Sequence, residues 1–178
     1  MKRLVVTGLL AIAILAGVAV DSGLAEDTAA FQLALINPVQ LRDESLSILV
    51  LRLNLIYGKN VSVHGLDLGL INHSTGGTSL GLQYGLVGYV EGSFVGWQNN
   101  VIDIVKERFT GLQSGLYNQI GQGEAVQYGG LNVANSMSGL QLGLINYTRT
   151  MYGLQLGILN IIKDKDKLPV LPLINWDF

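Results

Sequence analysis

Apolar residues alternate with glycine and glutamine along most of the chain, in an eight-residue unit that recurs about every 15 residues. The clearest copies read GLQLGLIN, at Gly139–Asn146, and GLQLGILN, at Gly153–Asn160. Within a copy, positions two, four and six are usually apolar, whereas positions one, three and five are usually Gly, Gln and Gly. This period of two predicts a β-strand with one apolar face.

Ten copies of this unit align along the chain. Their first residues are Ala30, Val50, Gly65, Gly81, Gly96, Gly111, Ala125, Gly139, Gly153 and Leu168. Self-similarity at a nearly fixed period is the signature of a repeat architecture, and this period is too short for helical repeats. The segment Asn99–Phe109 also fits a short amphipathic helix, but it keeps the repeat register. We therefore interpret it as a divergent copy in an all-β chain.

Two folds share this pattern. The first is a repeat β-solenoid of about ten coils of 14–16 residues, and the alternative is a small ten-stranded outer-membrane β-barrel with its apolar positions toward lipid. The connections between copies do not alternate between short and long, as barrel turns and loops do. Pro169 and Pro172 interrupt the last copy, where a barrel must close by strand pairing. The pattern favours the solenoid, with the barrel as the alternative.

In a solenoid, identical positions stack about 4.8 Å apart. We expect positions two, four and six to fill the core and position three to form an exposed ladder. Side-chain amides in such a ladder hydrogen-bond along the stack. Position eight predicts a second column, of Asn. The candidate binding ladder at position three contains Gln83, Gln98, Gln113, Gln127, Gln141 and Gln155.

The N-terminus predicts export. Lys2 and Arg3 precede an apolar stretch, Leu4 to Val20, and Gly23-Leu24-Ala25 has the small residues of a cleavage site. We expect residues 1–25 to be a signal peptide and residues 26–178 to form a single β-repeat domain. The chain has no Cys, which excludes disulfides and thiolate chemistry.

Few residues carry recognisable chemistry. His64 and His73 flank one copy, and we expect them to be exposed turn residues rather than metal ligands. The sequence has no Gly-x-Ser-x-Gly nucleophile elbow, no phosphate-binding loop and no calcium loop. The formal net charge is −2, and no basic face for nucleic acid is evident. We therefore expect no enzyme activity, catalytic residue, cofactor or metal.

The phrases GLDLGLIN, GLQSGLYN and GLQLGLIN, with the tail LPVLPLINWDF, resemble a family of bacterial exported surface-repeat proteins of unknown function. The resemblance covers nearly the whole chain after the predicted signal peptide. It weakens at Gly88, Asn99–Asn100 and Asp103, where we expect a local irregularity. It implies no activity, ligand or catalytic residue.

These observations predict a non-enzymatic structural or binding protein of the bacterial cell envelope, in the periplasm, in the outer membrane or at the cell surface. One alternative is a membrane-embedded barrel with a porin-like or scaffolding role, and another is a self-assembling surface protein. The expected partners are a glycan or other envelope polymer along the Gln ladder, a second copy of the chain, or a membrane, with no nucleic acid.

Overall fold

The computed structural model describes residues 25–178, so the predicted signal peptide lies outside the described residues except for its last position. The regular elements are β1 (Thr28–Ile36), β2 (Val39–Gln40), β3 (Ser47–Asn60), β4 (His64–Ser74), β5 (Thr78–Val90), β6 (Ser93–Ile162) and β7 (Val170–Asp177). Asn99–Phe109 lies within β6, which confirms that it is a divergent repeat and not a helix. Over residues 25–178, the chain contains no helix suited to crossing a membrane.

The chain winds as a parallel β-solenoid. β1 pairs in parallel with β3, β3 with β4, β4 with β5, and β5 with the start of β6. Corresponding positions align, as Asp67 does with Gln83. Strand residues then continue unbroken through the later coils of β6, where Gly143 stacks on Gly129 and Gly157 on Gly143. The predicted solenoid is confirmed, and the barrel alternative is wrong, because an up-and-down barrel needs antiparallel neighbours.

Each coil has three sides. Side one contains positions one to five and ends at a bend at position six, where Leu70 falls between the paired residues Gly69 and Ile71. Side two contains positions seven to ten, and after a turn side three contains positions thirteen to fifteen. Position one of the next coil forms the last corner. At Gly96 φ is 132°, and a Cβ would lie only 2.0 Å from the carbonyl oxygen of Gly81, so this corner requires glycine.

Between sides one and two, the buried and exposed positions are the reverse of those that we expect from the sequence. The Gln side chains at position three are fully buried, whereas Leu70 and Leu86 at position six are 46% and 49% exposed. Positions one, three and five share one face of the strand. A Cβ at Gly85, in position five, would lie 1.9 Å from the oxygen of Gly69. The glycine-bearing face must therefore point inward, and positions two, four and six point outward.

An apolar core occupies the other half of the cross-section, between sides two and three. It is built mainly from positions ten and fourteen, with Met137 from position thirteen and Ala125 from position one. The rings of Phe94 and Phe109 stack with centroids 5.9 Å apart. The cluster comprises Val90, Phe94, Val105, Phe109, Ile120, Ala125, Ala134 and Met137. Fully burying one large aliphatic or aromatic side chain contributes about 1.5–3 kcal/mol gross. This strip therefore supplies the hydrophobic stabilisation that positions two, four and six do not.

Antiparallel pairs close both ends of the stack. At the N-terminal end β2 turns back onto β1. At the C-terminal end the tenth copy, in β7, pairs antiparallel with the coil that begins at Gly153, so it is a terminal cap instead of a tenth parallel coil. Pro172 in this strand has no N–H to offer a further strand. The turn before β7 contains the charged run Lys163–Lys167, as the sequence predicts.

We expect deletion of Gly139–Tyr152, one 14-residue period, to leave a folded solenoid. Gln155 would then stack on Gln127 in register, and the stability of a solenoid is approximately a sum over its coils. Deletion of Gly139–Ile145, half a period, shifts every later position relative to the stack and should prevent folding of the C-terminal part. Circular dichroism and thermal unfolding compare the two. Equal loss of structure in both would contradict independent, in-register coils.

Candidate functional site

A continuous ladder of side-chain amides runs through the interior at position three. Nε2 of Gln98 donates a hydrogen bond to Oε1 of Gln83 at 2.8 Å. The same contact, at 2.7–2.8 Å, recurs at each later step: Gln113 to Gln98, Gln127 to Gln113, Gln141 to Gln127 and Gln155 to Gln141. Every donor points toward the N-terminal end of the stack, so the ladder has a single direction.

A buried ion pair begins this ladder. Arg52 and Asp67 occupy position three in their coils, with Nε–Oδ1 and Nη2–Oδ2 distances of 2.7 and 2.8 Å and almost no exposure. Nε2 of Gln83 donates to Oδ2 of Asp67 at 2.8 Å. Because an ionised carboxylate only accepts hydrogen bonds, the next amide must present its NH₂ group. This choice orients every later Gln, and the ladder ends at the Oε1 of Gln155, which has no partner.

A second ladder, of asparagines at position eight, runs the opposite way. Nδ2 of Asn118 donates to Oδ1 of Asn132, and the contact repeats to Asn146 and to Asn160, each at 2.8 Å. The predicted hydrogen bonding of amides along the stack is confirmed in both columns. The predicted exposure is wrong for all six residues of the candidate ladder, Gln83, Gln98, Gln113, Gln127, Gln141 and Gln155, which are fully buried. A glycan on the outside does not reach them.

In two coils, those that begin at Val50 and Gly96, an asparagine lies at position five and position eight has no asparagine. In the coil that begins at Val50, a Cβ on Gly58 would lie 1.8 Å from Oδ1 of Asn54, so the Asn54 amide takes the space that Gly58 leaves. Gly88 makes the same room for Asn100 of the following coil, whose Nδ2 would lie 2.5 Å from a Cβ there. Backbone pairing between β5 and β6 continues without a shift. The expected irregularity at Gly88, Asn99–Asn100 and Asp103 is therefore one of side chains.

Asp103 places a carboxyl group in the asparagine column. It accepts hydrogen bonds from Nδ2 and the backbone N of Asn100. Burial raises the pKa of Asp103 to about 7, although these two hydrogen bonds lower it in part. Oδ2 of Asp103 and Oδ1 of Asn118 approach the same point beside Gly115, and Oδ1 of Asn118 has no donor. A hydrogen bond between these two oxygens requires the Asp103 carboxyl group to be protonated, because both are otherwise acceptors.

The histidines lie in strand β4 and not in turns, so the expectation of exposed turn residues is wrong. Nδ1 of His73 lies 2.8 Å from the Tyr57 hydroxyl, and its Nε2 lies 2.8 Å from Oε1 of Glu91. Nε2 of His64 lies 2.9 Å from the carbonyl oxygen of Thr78. Within residues 25–178, no group of three or more His, Cys, Asp or Glu side chains is arranged to hold a metal ion.

The outward positions two, four, six and seven form a continuous apolar surface over sides one and two in the first nine copies. We call this surface the apolar wedge, because position six is a convex edge between the two sides. Among its positions only Asn99, Ser114 and Gly130 are not apolar, and none is charged. Leu116 and Ile158, both on the edge, are 68% exposed. The sequence pattern marked these positions as one face, but it did not show that the face is external.

Charged side chains lie on the rest of the perimeter, at positions eleven to fifteen, together with a few exposed apolar residues such as Val95 and Tyr152. The exposed charged residues are Glu91, Lys106, Glu107, Arg108, Glu124, Arg149, Lys163 and Asp164. Some of them have local partners: Nε of Arg149 lies 2.9 Å from Oδ2 of Asp164 in an ion pair, and Nζ of Lys106 lies 5.6 Å from the centre of the Tyr89 ring in a cation–π contact. A groove of about 800 Å³ runs between these coils. The solenoid is therefore amphipathic around its circumference, with both signs of charge mixed on its polar part.

Comparison with protein-family models, with curated proteins and with solved structures gives no match for this chain. The resemblance to exported surface-repeat proteins stays a prediction. The candidate site, the apolar wedge, consequently rests on the geometry described above.

We expect Gln113→Leu to lower the free energy of unfolding by about 2–4 kcal/mol. The change removes the donor to Oε1 of Gln98 and an acceptor of Gln127, and unsatisfied buried polar groups cost about 1–3 kcal/mol each. The matched control is Leu112→Gln, one residue away on the outside, with an expected effect below about 1 kcal/mol. Urea unfolding measures both. A larger loss for Leu112→Gln would mean that the apolar positions are internal.

We expect the stability of the protein to fall as pH rises from about 4 to about 7. The folded-state pKa of Asp103, about 7, is above its ordinary value of 3.8, so in this range the folded chain holds a proton that the unfolded chain has released. The full loss is about 4 kcal/mol, complete above about pH 8. Asp103→Asn should remove this slope and raise stability at pH 8, because its NH₂ group can donate to Asn118.

Urea unfolding between pH 4 and pH 9 measures this difference. Asp164→Asn is the control, because its carboxylate is on the surface and should leave the slope unchanged. An Asp103→Asn chain with the same pH dependence as the original chain would show that Asp103 is ionised without penalty in the folded state.

Proposed function

We propose that this chain is a non-enzymatic, exported structural or binding protein of the bacterial cell envelope, and that it acts through the apolar wedge. The observation that carries the proposal is the uncharged, apolar outer surface that extends over side one and the adjoining part of side two in nine successive copies. Monomeric soluble proteins rarely expose a continuous apolar patch larger than a few hundred Å². A surface of this extent is typical of a protein that contacts an apolar partner.

The arrangement of the polar groups supports a role without catalysis. The interior Gln, Asn, Arg52 and Asp67 side chains are engaged mainly with one another and are closed to solvent. The exposed charged side chains lie at positions eleven to fifteen of successive coils, and they include both acidic and basic residues. A catalytic site needs a nucleophile, acid or base that a substrate can reach. The wedge, which a partner can reach, carries no titratable carboxylate, imidazole or amine.

Self-assembly by end-to-end stacking is a weaker candidate. Open parallel edges favour such stacking, but antiparallel strands cover the stack at both ends. The short β2 and the proline in β7 are devices that discourage pairing with another chain. The lateral wedge is therefore a better contact surface than either end.

We expect the chain from the native cell to fractionate with the envelope and to begin at or near Glu26. The basic, apolar and small-residue segments of the first 25 positions direct this processing. Fractionation followed by N-terminal sequencing measures both properties. Leu15→Arg, which places a charge in the apolar stretch, should block export, whereas Lys2→Arg should not. Recovery of the unaltered chain from the cytoplasm with Met1 in place would overturn the proposal.

A further inference from the structure

We propose that the occupant of the apolar wedge is a lipid surface, with the long axis of the solenoid lying parallel to the membrane. This inference rests on the proposed function, which it makes specific. Three properties of the wedge carry it: its length, its convex shape and the internal satisfaction of its backbone.

The first property is length. The aligned position-three residues run from Gln32 to Gln155 through eight steps. At about 4.8 Å for each step the wedge is about 40 Å long, and side one alone, five residues wide, covers on the order of 600 Å². Along this length the only polar side chains at the wedge positions are Asn99 and Ser114 and the tyrosine hydroxyls. A lipid surface imposes no limit on contact length and requires no pattern along it.

The second property is shape. Side one and side two meet at the edge formed by position six, where Leu55, Leu116 and Ile158 are the most exposed members. A second copy packed on side one would leave the edge and side two in water. Side one alone is also smaller than the roughly 800 Å² that each partner contributes to a standard interface. Fluid acyl chains can surround a convex edge and cover both sides at once.

The third property concerns backbone hydrogen bonds. Hydrocarbon offers no partner to a backbone N–H or C=O group, so a segment that enters it must satisfy these groups internally. In the solenoid the strands pair along the stack, and their hydrogen bonds run parallel to the wedge and not toward it. The strand edges are at the two ends. When the solenoid meets the membrane along position six, the groups that enter the lipid are therefore apolar side chains and backbone groups that are already hydrogen-bonded within the stack.

Aromatic side chains lie at suitable places for such an orientation. Trp97 is on side one, 41% exposed, and its Nε1 donates to Oγ of Ser114 at 2.8 Å. Its polar group is thus satisfied inside the wedge. Tyr89 and Tyr147 are at position nine, between the wedge and the charged perimeter. Tyrosine and tryptophan are enriched where a membrane meets water, because their rings are apolar and carry one polar group.

The decisive test uses phosphatidylcholine vesicles and the protein purified as the cell makes it. Leu116→Glu with Leu144→Glu adds two carboxylates to the edge, in two chosen coils. Gln122→Glu with Thr150→Glu adds two carboxylates to exposed positions of the charged perimeter in the same two coils. We expect the first pair to weaken vesicle binding at least tenfold and the second to change it less than twofold, in vesicle co-flotation. Equal effects of the two pairs, or no binding by the original chain, would overturn the lipid assignment.

A second measurement tests the orientation and is independent of any loss of folding. Trp97 and Trp176 are the two tryptophans, so Trp176→Phe leaves Trp97 as the only reporter. We expect its fluorescence to shift to the blue on vesicle binding and to be quenched by brominated phosphatidylcholine. Circular dichroism and thermal unfolding confirm that each variant is folded. An unquenched Trp97 would place the wedge away from the lipid.

Light scattering without vesicles examines the competing occupant. A stable dimer that the edge carboxylates dissociate, in a chain that does not float with vesicles, would assign the wedge to a second copy. The vesicle-binding tests and the cell fractionation can fail independently. If the chain fractionates with the envelope but does not bind vesicles, only the lipid assignment is contradicted. If the chain binds vesicles but is recovered from the cytoplasm, only the proposed envelope role is contradicted.

Discussion

The hydrogen bond between stacked side-chain amides is the interaction on which the rest of this structure depends. It places Gln and Asn in a narrow interior, where an isolated amide would be costly to bury. Each amide is satisfied by the residue at the equivalent position one coil away, so burial at one position requires a hydrogen-bonding partner, usually the same amide, at the next. The repeat in the sequence is thus a consequence of a polar interior. An interior of aliphatic side chains would tolerate many exchanges between Leu, Ile and Val.

Glycine supplies the second constraint and determines which face is internal. At Gly96 the corner at position one has a positive φ and no space for a Cβ, and at Gly85, in position five, a Cβ would lie against the carbonyl oxygen of the preceding coil. Both residues are on the same face of the strand as Gln. The apolar face therefore has to turn outward, whatever the preference of its side chains for water. The apolar core between sides two and three, built mainly from positions ten and fourteen, supplies the hydrophobic stabilisation of the folded chain.

The repeat, the solenoid and the amide columns could all be predicted from the sequence, because a period of about 15 residues with two-residue alternation leaves few folds. The assignment of inside and outside could not. Burial of apolar residues is the usual rule, and it predicted a core at Leu70 and Leu86, both about half exposed. The environment of Asp103 could not be predicted from the sequence either. It departs from the repeat in the sequence, but its neighbour Asn100 and its burial appear only when the coils are stacked.

The two amide ladders run in opposite directions, Gln donors toward the N-terminal end and Asn donors toward the C-terminal end. A peptide-like amide has a dipole of about 3.5 D, and a column of aligned amides adds these along its axis, as an α-helix does. Because the two columns are antiparallel, their dipoles largely cancel. The coils from Asn118 to Asn160, where both ladders are present, therefore carry little net side-chain dipole along the stack. Further copies that contain both amides would extend the stack without adding to this dipole.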